Sequence, residues 1–213
     1  MRYSLTEEEI DYYLTLLNEE LTTYDCGTLC KNDKGVPLCC IVDEAVPLLY
    51  KTELSCLMKK GDLWFAFKPK TKEDRELIKT ADSDQVFAEC KGVSHCVRTQ
   101  RSLCCRTFPL EPYLDKRNIF AGLTFLEEFM KVDKKNNLPK CPMTLRPQDI
   151  RQEFVDAHFT FWEKLMFRRP EEFATYKDTS KKARAKIKRT GVKIPVLLPS
   201  HHKNRKDILD NLF

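Results

Sequence analysis

Cysteines concentrate in a short central stretch of the sequence. Residues 90–105 carry four cysteines and one histidine, and Arg106 and the rigid Phe108-Pro109 step follow directly. The thiolate form of cysteine binds metals, and neighbouring arginines lower the cost of holding several thiolates together. The alternative is a set of buried, unreactive cysteines, which the two adjacent-cysteine pairs of the chain make less attractive. The predicted metal ligands of this stretch are Cys90, Cys96 and Cys105.

A second cysteine-rich stretch lies earlier, between residues 26 and 40. Gly27 and Gly35 permit the tight backbone that surrounds a metal, and Pro37 restricts the approach to the last pair. On an extended backbone, only one sulfur of an adjacent pair would face a given centre. We therefore predict that this stretch shares a centre with residues 90–105. Its predicted ligands are Cys26, Cys30, Cys39 and Cys40.

Three other groups near these patterns receive different predictions. Cys56 stands alone on a predicted helix, which favours a place in the core. His158 falls near the apolar face of another predicted helix, so we expect a core histidine rather than a ligand. Arg101 and Arg106 are predicted to donate hydrogen bonds to metal-bound sulfur. The alternatives for these arginines are an anionic partner or surface ion pairs with residues such as Glu111.

Length and composition limit the classes of protein to which this chain can belong. With 213 residues the chain can bury a core without disulfide staples. Residues 1–10 lack the apolar region of a signal peptide, and no apolar run approaches the roughly twenty residues that span a bilayer. We therefore expect no membrane partner and a reducing cytoplasm, where clustered cysteines indicate metal or redox work. The six glycines form no phosphate-binding loop of the GxGxxG or GxxxxGK[ST] kind.

Charge is unevenly distributed along the chain. The net charge is +5, but residues 181–206 contain ten Lys or Arg and no Asp or Glu, which leaves the remainder at −5. We predict a metal-binding cysteine cluster domain over residues 1–170 and a basic C-terminal extension over residues 171–213. The extension could bind nucleic acid, but a charge run without interleaved aromatic residues is more typical of a solvated segment.

Hydrophobic periodicity predicts a mainly helical α+β fold. The fold would have a few short strands and an irregular cysteine-rich core organised by a metal centre. Strands that lead into ligand-bearing loops would hold those loops in place. The predicted helices cover residues 5–22, 46–60, 118–130 and 147–167, and the predicted strands cover 63–67 and 85–89.

The cysteine pattern resembles that of the zinc- or iron-chelating CxxCxxCC family, the YkgJ type. Members carry an N-terminal cysteine motif and, further on, two spaced cysteines followed by an RPxxCRxFP-like segment. Here Cys90, Cys96 and residues 101–109 correspond to the second signature, with Ser102 where the family usually has proline. The first signature is looser, because three residues rather than two separate Cys26 from Cys30.

This resemblance covers about residues 20–145. It implies that Cys141, which fits a later cysteine of the family, is a further metal ligand. It also favours Cys105 over Cys104 as a metal ligand, because Cys104 has no counterpart in the usual pattern of the family. More distantly, the pattern resembles that of the flagellin lysine N-methylases, which are linked to iron–sulfur chemistry.

Three functions from different classes follow. Four-thiolate sites suit both structural zinc and iron–sulfur clusters, and the surplus of cysteines favours a cluster with a second site or spare thiols. The first hypothesis is therefore a metal-binding protein with an iron–sulfur cluster or zinc. The second, implied by the resemblance alone, is an iron–sulfur and S-adenosylmethionine dependent protein lysine N-methyltransferase-like enzyme acting on a protein substrate. The third is a zinc-stabilised nucleic-acid-binding module that uses the basic extension.

Overall fold

The computed structural model describes residues 4–41, 46–133 and 137–213. Within these ranges about half of the chain is helical, and the strands form two three-stranded sheets and one two-stranded sheet. The predicted α+β class is confirmed at this level. No helix in the described ranges combines the length and the apolar character that crossing a membrane requires.

The chain divides into two compact units. Unit 1 comprises Met1–Asn18 and Lys31–Phe108, and unit 2 comprises Glu19–Cys30 and Pro109–Phe213. The first cysteine stretch is therefore split between the units after Cys30. The predicted boundary after residue 170 lies inside unit 2, directly after the first residue of the long helix Pro170–Thr190.

Unit 1 combines four helices with a small antiparallel sheet in its described part. The strand order is β1-β3-β2, so the central strand is the one that leads into the second cysteine stretch. Both predicted strands are confirmed, whereas the start of the predicted helix 46–60 is a strand that pairs with β3. The elements are α1 (Glu7–Leu16), β1 (Leu48–Tyr50), α2 (Lys51–Lys60), β2 (Trp64–Ala66), α3 (Lys72–Ile78), β3 (Gln85–Cys90) and α4 (Leu103–Thr107).

The first helix ends at Leu16, earlier than the predicted residue 22. The carbonyl groups of a helix C-terminus need partners from outside the helix. Here the Arg106 guanidinium donates hydrogen bonds to the carbonyls of Leu14 and Leu17, at 3.1 and 3.4 Å. A side chain distant in sequence therefore provides the hydrogen bonds that the last carbonyls of α1 need. The local sequence pattern does not reveal this partner, so it does not predict where the helix ends.

Unit 2 contains a second small sheet, a short hairpin and two long helices. The sheet has the order β4-β5-β8 and is antiparallel throughout. The predicted helix 147–167 is confirmed as α6, which begins at Gln152 after two 3₁₀ turns. The elements are β4 (Leu110–Leu114), β5 (Phe120–Phe125), α5 (Glu127–Met130), β6 (Val132–Asp133), β7 (Leu138–Pro139), α6 (Gln152–Arg168), α7 (Pro170–Thr190), β8 (Val196–Leu197) and α8 (Lys206–Leu209).

The predicted helix over residues 118–130 is wrong for most of its length. Strand β5 occupies its first half, and only the four residues of α5 are helical. Residues 121–125 are all buried, so apolar side chains occur on both faces of the strand. Such a continuous apolar run cannot be distinguished from a buried helix by periodicity alone.

Residues 171–213 contribute to the core of unit 2. Helix α7 packs against β4, where the Ser180 hydroxyl accepts a hydrogen bond of 2.9 Å from the Leu114 backbone N–H. Strand β8 pairs with β5. Ile208 and Leu212 are buried in one cluster with Tyr113. The basic segment is therefore built into the unit through one face and exposes its cations on another.

Candidate metal centre

All ten cysteines lie in the described part of the chain, and each is present as a thiol. They fall into one set in each unit. Unit 1 holds Cys39, Cys40, Cys56, Cys90, Cys96, Cys104 and Cys105, and unit 2 holds Cys26, Cys30 and Cys141.

Short local elements position the thiols of unit 1. A positive φ of 90° at Gly92 turns the chain directly after β3, a conformation that glycine adopts without strain. Three of the four predicted ligands that interact in this unit end or follow a short element, and the fourth lies within α4. Cys40 ends the 3₁₀ turn Leu38–Cys40, Cys90 ends β3, Cys96 follows the turn Val93–His95, and Cys105 is the third residue of α4.

Helix α4 is held by two polar side chains. The Ser102 hydroxyl caps the helix by accepting a hydrogen bond of 3.2 Å from the backbone N–H of Cys105. The buried Glu53 carboxylate accepts a second bond, of 2.6 Å, from the backbone N–H of Leu103. Ser102 stands where the resembled family has proline, and both residue types favour the start of a helix.

Three thiols of unit 1 interact with Arg101, and a fourth interacts with members of the same set. The Arg101 guanidinium donates a hydrogen bond to the Cys96 thiol and also interacts electrostatically with Cys40 and Cys105. The Cys90 thiol interacts with those of Cys96 and Cys40. The Cys105 thiol interacts with those of Cys90 and Cys40. These four predicted ligands therefore lie within electrostatic range of one another, although they come from separate parts of the sequence.

Burial is the largest cause of the raised pKa of two of these thiols, Cys90 and Cys105. It raises the pKa of Cys90 above its usual value, and neighbouring thiols raise it further, while the backbone N–H of Gly92 opposes the shift. Burial raises the pKa of Cys105 as well. For Arg101, burial lowers the pKa, but the interactions with the thiols outweigh it, so the net pKa is raised. Without a metal, Cys90 and Cys105 therefore favour the neutral thiol, and metal binding would release protons from them.

Arg106 has a different role from the one predicted. Its side chain is only 6% exposed, and its three nitrogens donate to oxygen atoms. Besides the two carbonyls at the end of α1, these nitrogens donate hydrogen bonds to the carbonyls of Arg98, Thr99 and Arg101, at 2.9, 3.2 and 3.0 Å. The hydrogen bond to sulfur predicted for both arginines is made by Arg101. Arg106 instead fixes the backbone between Cys96 and α4.

The remaining cysteines of unit 1 lie in different surroundings. Cys39 is exposed, with its sulfur 3.9 Å from that of Cys40. Cys40 is the member of this pair whose thiol interacts with Cys90. Cys104 has exposed surface and interacts electrostatically with Glu53. Cys56 is 4% exposed on α2, so its predicted place in the core is confirmed.

The three thiols of unit 2 form the second set. Cys26 begins a 3₁₀ turn that the Asp25 carboxylate caps by accepting a hydrogen bond of 3.0 Å from the Gly27 backbone N–H, and Cys30 ends the turn. Cys141 immediately precedes the 3₁₀ turn Pro142–Leu145. Burial raises the pKa of Cys141 to about 11, and the thiols of Cys30 and Cys26 also raise it. All three thiols therefore interact.

In the described ranges, no three His, Cys, Asp or Glu side chains form a ready-made metal site. The thiols are thus sets of donors that would have to close around a metal. Their chemistry fits the group, since clustered thiolates are the ligands of structural zinc and iron–sulfur clusters. The prediction that Cys26 and Cys30 share a centre with residues 90–105 concerns two units and stays a prediction.

Two buried glutamates were not anticipated from the sequence. Glu53 is 1% exposed and Glu111 8% exposed. Burial raises the pKa of each to about 7. The signal available for Glu53 was its place on the apolar face of α2, one residue before Leu54. His158 is confirmed as a core histidine, because it is fully buried and its Nδ1 lies 2.7 Å from the Phe154 carbonyl oxygen.

Comparisons with protein-family models, curated proteins and solved structures give no match to this chain. The resemblance to the CxxCxxCC family therefore stays a prediction that depends on the cysteine pattern.

Proposed function

We propose that this protein binds a metal, as zinc or as an iron–sulfur cluster, through the thiols of unit 1. The ligands would be Cys40, Cys90, Cys96 and Cys105. The observation that carries the proposal is the position of Arg101, which donates a hydrogen bond to the Cys96 thiol and interacts with two further thiols of the set. A cation placed among several thiols suits a site whose bound state carries negative charge.

Two features of the surroundings support a closing site. A backbone N–H, that of Gly92, hydrogen-bonds to the Cys90 sulfur, and such bonds stabilise a thiolate. The segment between Cys96 and α4 is held by Arg106 and Glu53 rather than by the thiols. The ligand-bearing backbone would therefore be ordered before the metal binds. A bound zinc would connect the chain segments, whereas a cluster would supply electron transfer.

The test is metal content after anaerobic purification, with a visible spectrum of the same sample. We expect zinc, or iron with sulfide, in the unsubstituted protein. Cys96→Ser and Cys105→Ser should each lose most of the metal of unit 1, because a lost ligand weakens both binding and folding. Cys56→Ser is the matched control, since Cys56 lies in the core of the same unit, and it should retain the metal. Equal retention in all three variants, or no metal uptake on reconstitution, would overturn the proposal.

A second candidate function is nucleic-acid binding by the zinc-stabilised protein. Residues 181–206 carry ten lysines or arginines and no acidic residue. The supporting observation is that three of these cations on α7, Lys181, Lys188 and Arg189, are exposed. Binding through phosphates should weaken steeply with salt, and Lys188→Ala should lower the slope against salt by about 1. A slope unchanged in the variant would contradict this function. The methyltransferase-like enzyme stays a prediction from the resemblance alone.

A further inference from the structure

The cysteines of unit 2 come from two segments that the unit itself holds together. The Arg151 backbone N–H donates a hydrogen bond of 2.9 Å to the Leu21 carbonyl. The Tyr24 hydroxyl donates one of 2.7 Å to the Asp149 carboxylate, and it lies 3.8 Å from the sulfur of Met143. The segment that carries Cys26 and Cys30 is therefore fixed against the segment that carries Cys141 by contacts that involve no cysteine.

Backbone N–H groups of the turn after Cys141 favour its thiolate. Those of Met143 and Thr144, two and three residues further on, act to lower the pKa of the Cys141 thiol against the larger effect of burial, and the Thr144 N–H donates a hydrogen bond of 3.1 Å to the Cys141 carbonyl oxygen. This arrangement stabilises a thiolate without any cationic side chain, because backbone donors around a metal-bound sulfur serve as its outer-shell partners. On the other side, Cys30 sulfur lies 3.8 Å from the Gly27 carbonyl oxygen, within the turn that Cys26 begins. The three sulfurs thus have local surroundings of their own within unit 2.

Within unit 2 the set comprises three sulfurs. All ten cysteines are described, and the other seven belong to unit 1. Closed structural zinc sites use four protein ligands, whereas three protein ligands with an open position are typical of sites that bind an exchangeable fourth group. Cys141 is buried, while Cys26 and Cys30 keep part of their surface exposed, so an incoming ligand has access on the side of the turn.

We propose that Cys26, Cys30 and Cys141 form a second metal site, separate from that of unit 1, which binds a zinc-like ion through three thiolates and leaves the fourth position to water or a small thiol. The inference extends the proposed function, since it assumes that clustered thiols of this chain bind metal. The seven cysteines that interact in the two sets would then serve two centres of different kinds. The four-thiolate centre would be closed, and the three-thiolate centre would be open to exchange.

The experiment counts cobalt(II), used as a spectroscopic substitute for zinc, in the full-length protein and its variants. We expect two ions per chain in the unsubstituted protein. Cys141→Ser and Cys96→Ser should each retain one ion, and the double variant none. Adding 2-mercaptoethanol should change the visible cobalt spectrum of Cys96→Ser, in which only the open centre is loaded. It should leave the spectrum of Cys141→Ser unchanged.

Several outcomes separate this inference from the proposed function. A single ion that is lost in both variants would mean one shared centre, which overturns the inference and leaves metal binding intact. Failure of the unsubstituted protein to bind any ion would overturn both. Two ions without a response to the thiol would overturn the open position. Because Cys141→Ser replaces a buried residue, Cys30→Ser serves as a second variant at a half-buried site, and circular dichroism checks that each variant is folded.

Discussion

The two units hold their thiol-bearing segments by different means. In unit 1, charged side chains in the interior fix the backbone around the thiols: Arg106 donates to five carbonyl groups, and Glu53 accepts from α4. In unit 2, the turn at Cys26 is fixed by hydrogen bonds nearer the surface, such as that from Tyr24 to Asp149. The thiol-bearing segments of unit 1 therefore depend on buried ionisable side chains, and the turn at Cys26 in unit 2 depends on neutral or solvated contacts.

This difference has an energetic consequence. A buried charge is tolerated only while its partners are present, so truncating one member leaves unpaired polar groups in the interior. An exposed hydrogen bond can be replaced by water at little cost. The thiol arrangement of unit 1 should therefore respond strongly to single substitutions and to pH, and that of unit 2 weakly.

The largest effect is expected for Arg106→Ala. The substitution removes a buried guanidinium and leaves carbonyl groups of α1 and of residues 98–101 without donors. We expect a loss of about 3–5 kcal/mol in the free energy of unfolding, measured by chemical denaturation. Arg98→Ala is the control, since Arg98 is half-buried and its guanidinium donates exposed hydrogen bonds to the Asn18 carbonyl. A loss at Arg106 no greater than that at Arg98 would contradict the comparison.

Glu53 should make stability depend on pH. Its pKa is raised from 4.5 to about 7, because burial outweighs the hydrogen bonds from the backbone N–H groups of Leu103 and Tyr50 and the nearby Arg106 charge. The folded state thus holds the proton more tightly than the unfolded state. Stability should fall as pH rises from about 4.5 through 7, by up to about 3 kcal/mol. Glu53→Gln should flatten this slope, and an unchanged slope would exclude Glu53 as its source.

Glu111 of unit 2 is a second glutamate whose pKa is raised by burial, and in contrast to Glu53 no backbone N–H group contributes to its shift. Burial, together with a smaller contribution from the nearby Glu127 carboxylate, raises its pKa to about 7. At pH 8 the charged form is the disfavoured one, so Glu111→Gln should increase the free energy of unfolding by about 1–2 kcal/mol. Glu128→Gln, at an exposed site whose ion pairs are screened by solvent, should change it much less than Glu111→Gln does. Destabilisation by Glu111→Gln at pH 8 would show that the carboxylate has a stabilising partner.

The smallest effect is expected for Tyr24→Phe, which removes the hydrogen bond to Asp149 in unit 2. Tyr24 is 39% exposed, so water can solvate the carboxylate that loses its donor. We expect a loss of about 1 kcal/mol or less in unfolding experiments. Combining it with Asp149→Ala should add little beyond the larger single effect, because both substitutions remove the same contact. A loss as large as that at Arg106 would remove the distinction between the units.

Local sequence patterns determined much of the secondary structure. The apolar stripe of α6, the short strands β2 and β3, and the buried positions of Cys56 and His158 could all be predicted, because they depend on neighbours within a few residues. The concentration of cysteines in two stretches of the chain is also evident directly from the amino-acid sequence. The run at residues 118–130 could not be assigned correctly, since burial on both faces of β5 depends on strands and helices that are remote in sequence.

The grouping of the thiols was decided only by tertiary structure. Cys26 and Cys40 belong to one stretch of the sequence but to different units. The thiols of Cys141 and Cys26 interact electrostatically, although more than a hundred residues separate them in the sequence. The same holds for charge: Arg106 and Arg101 look alike in sequence, yet one binds backbone oxygens and the other a thiol. The physical reason is that a buried polar group takes whichever partners packing provides, and sequence spacing does not specify these.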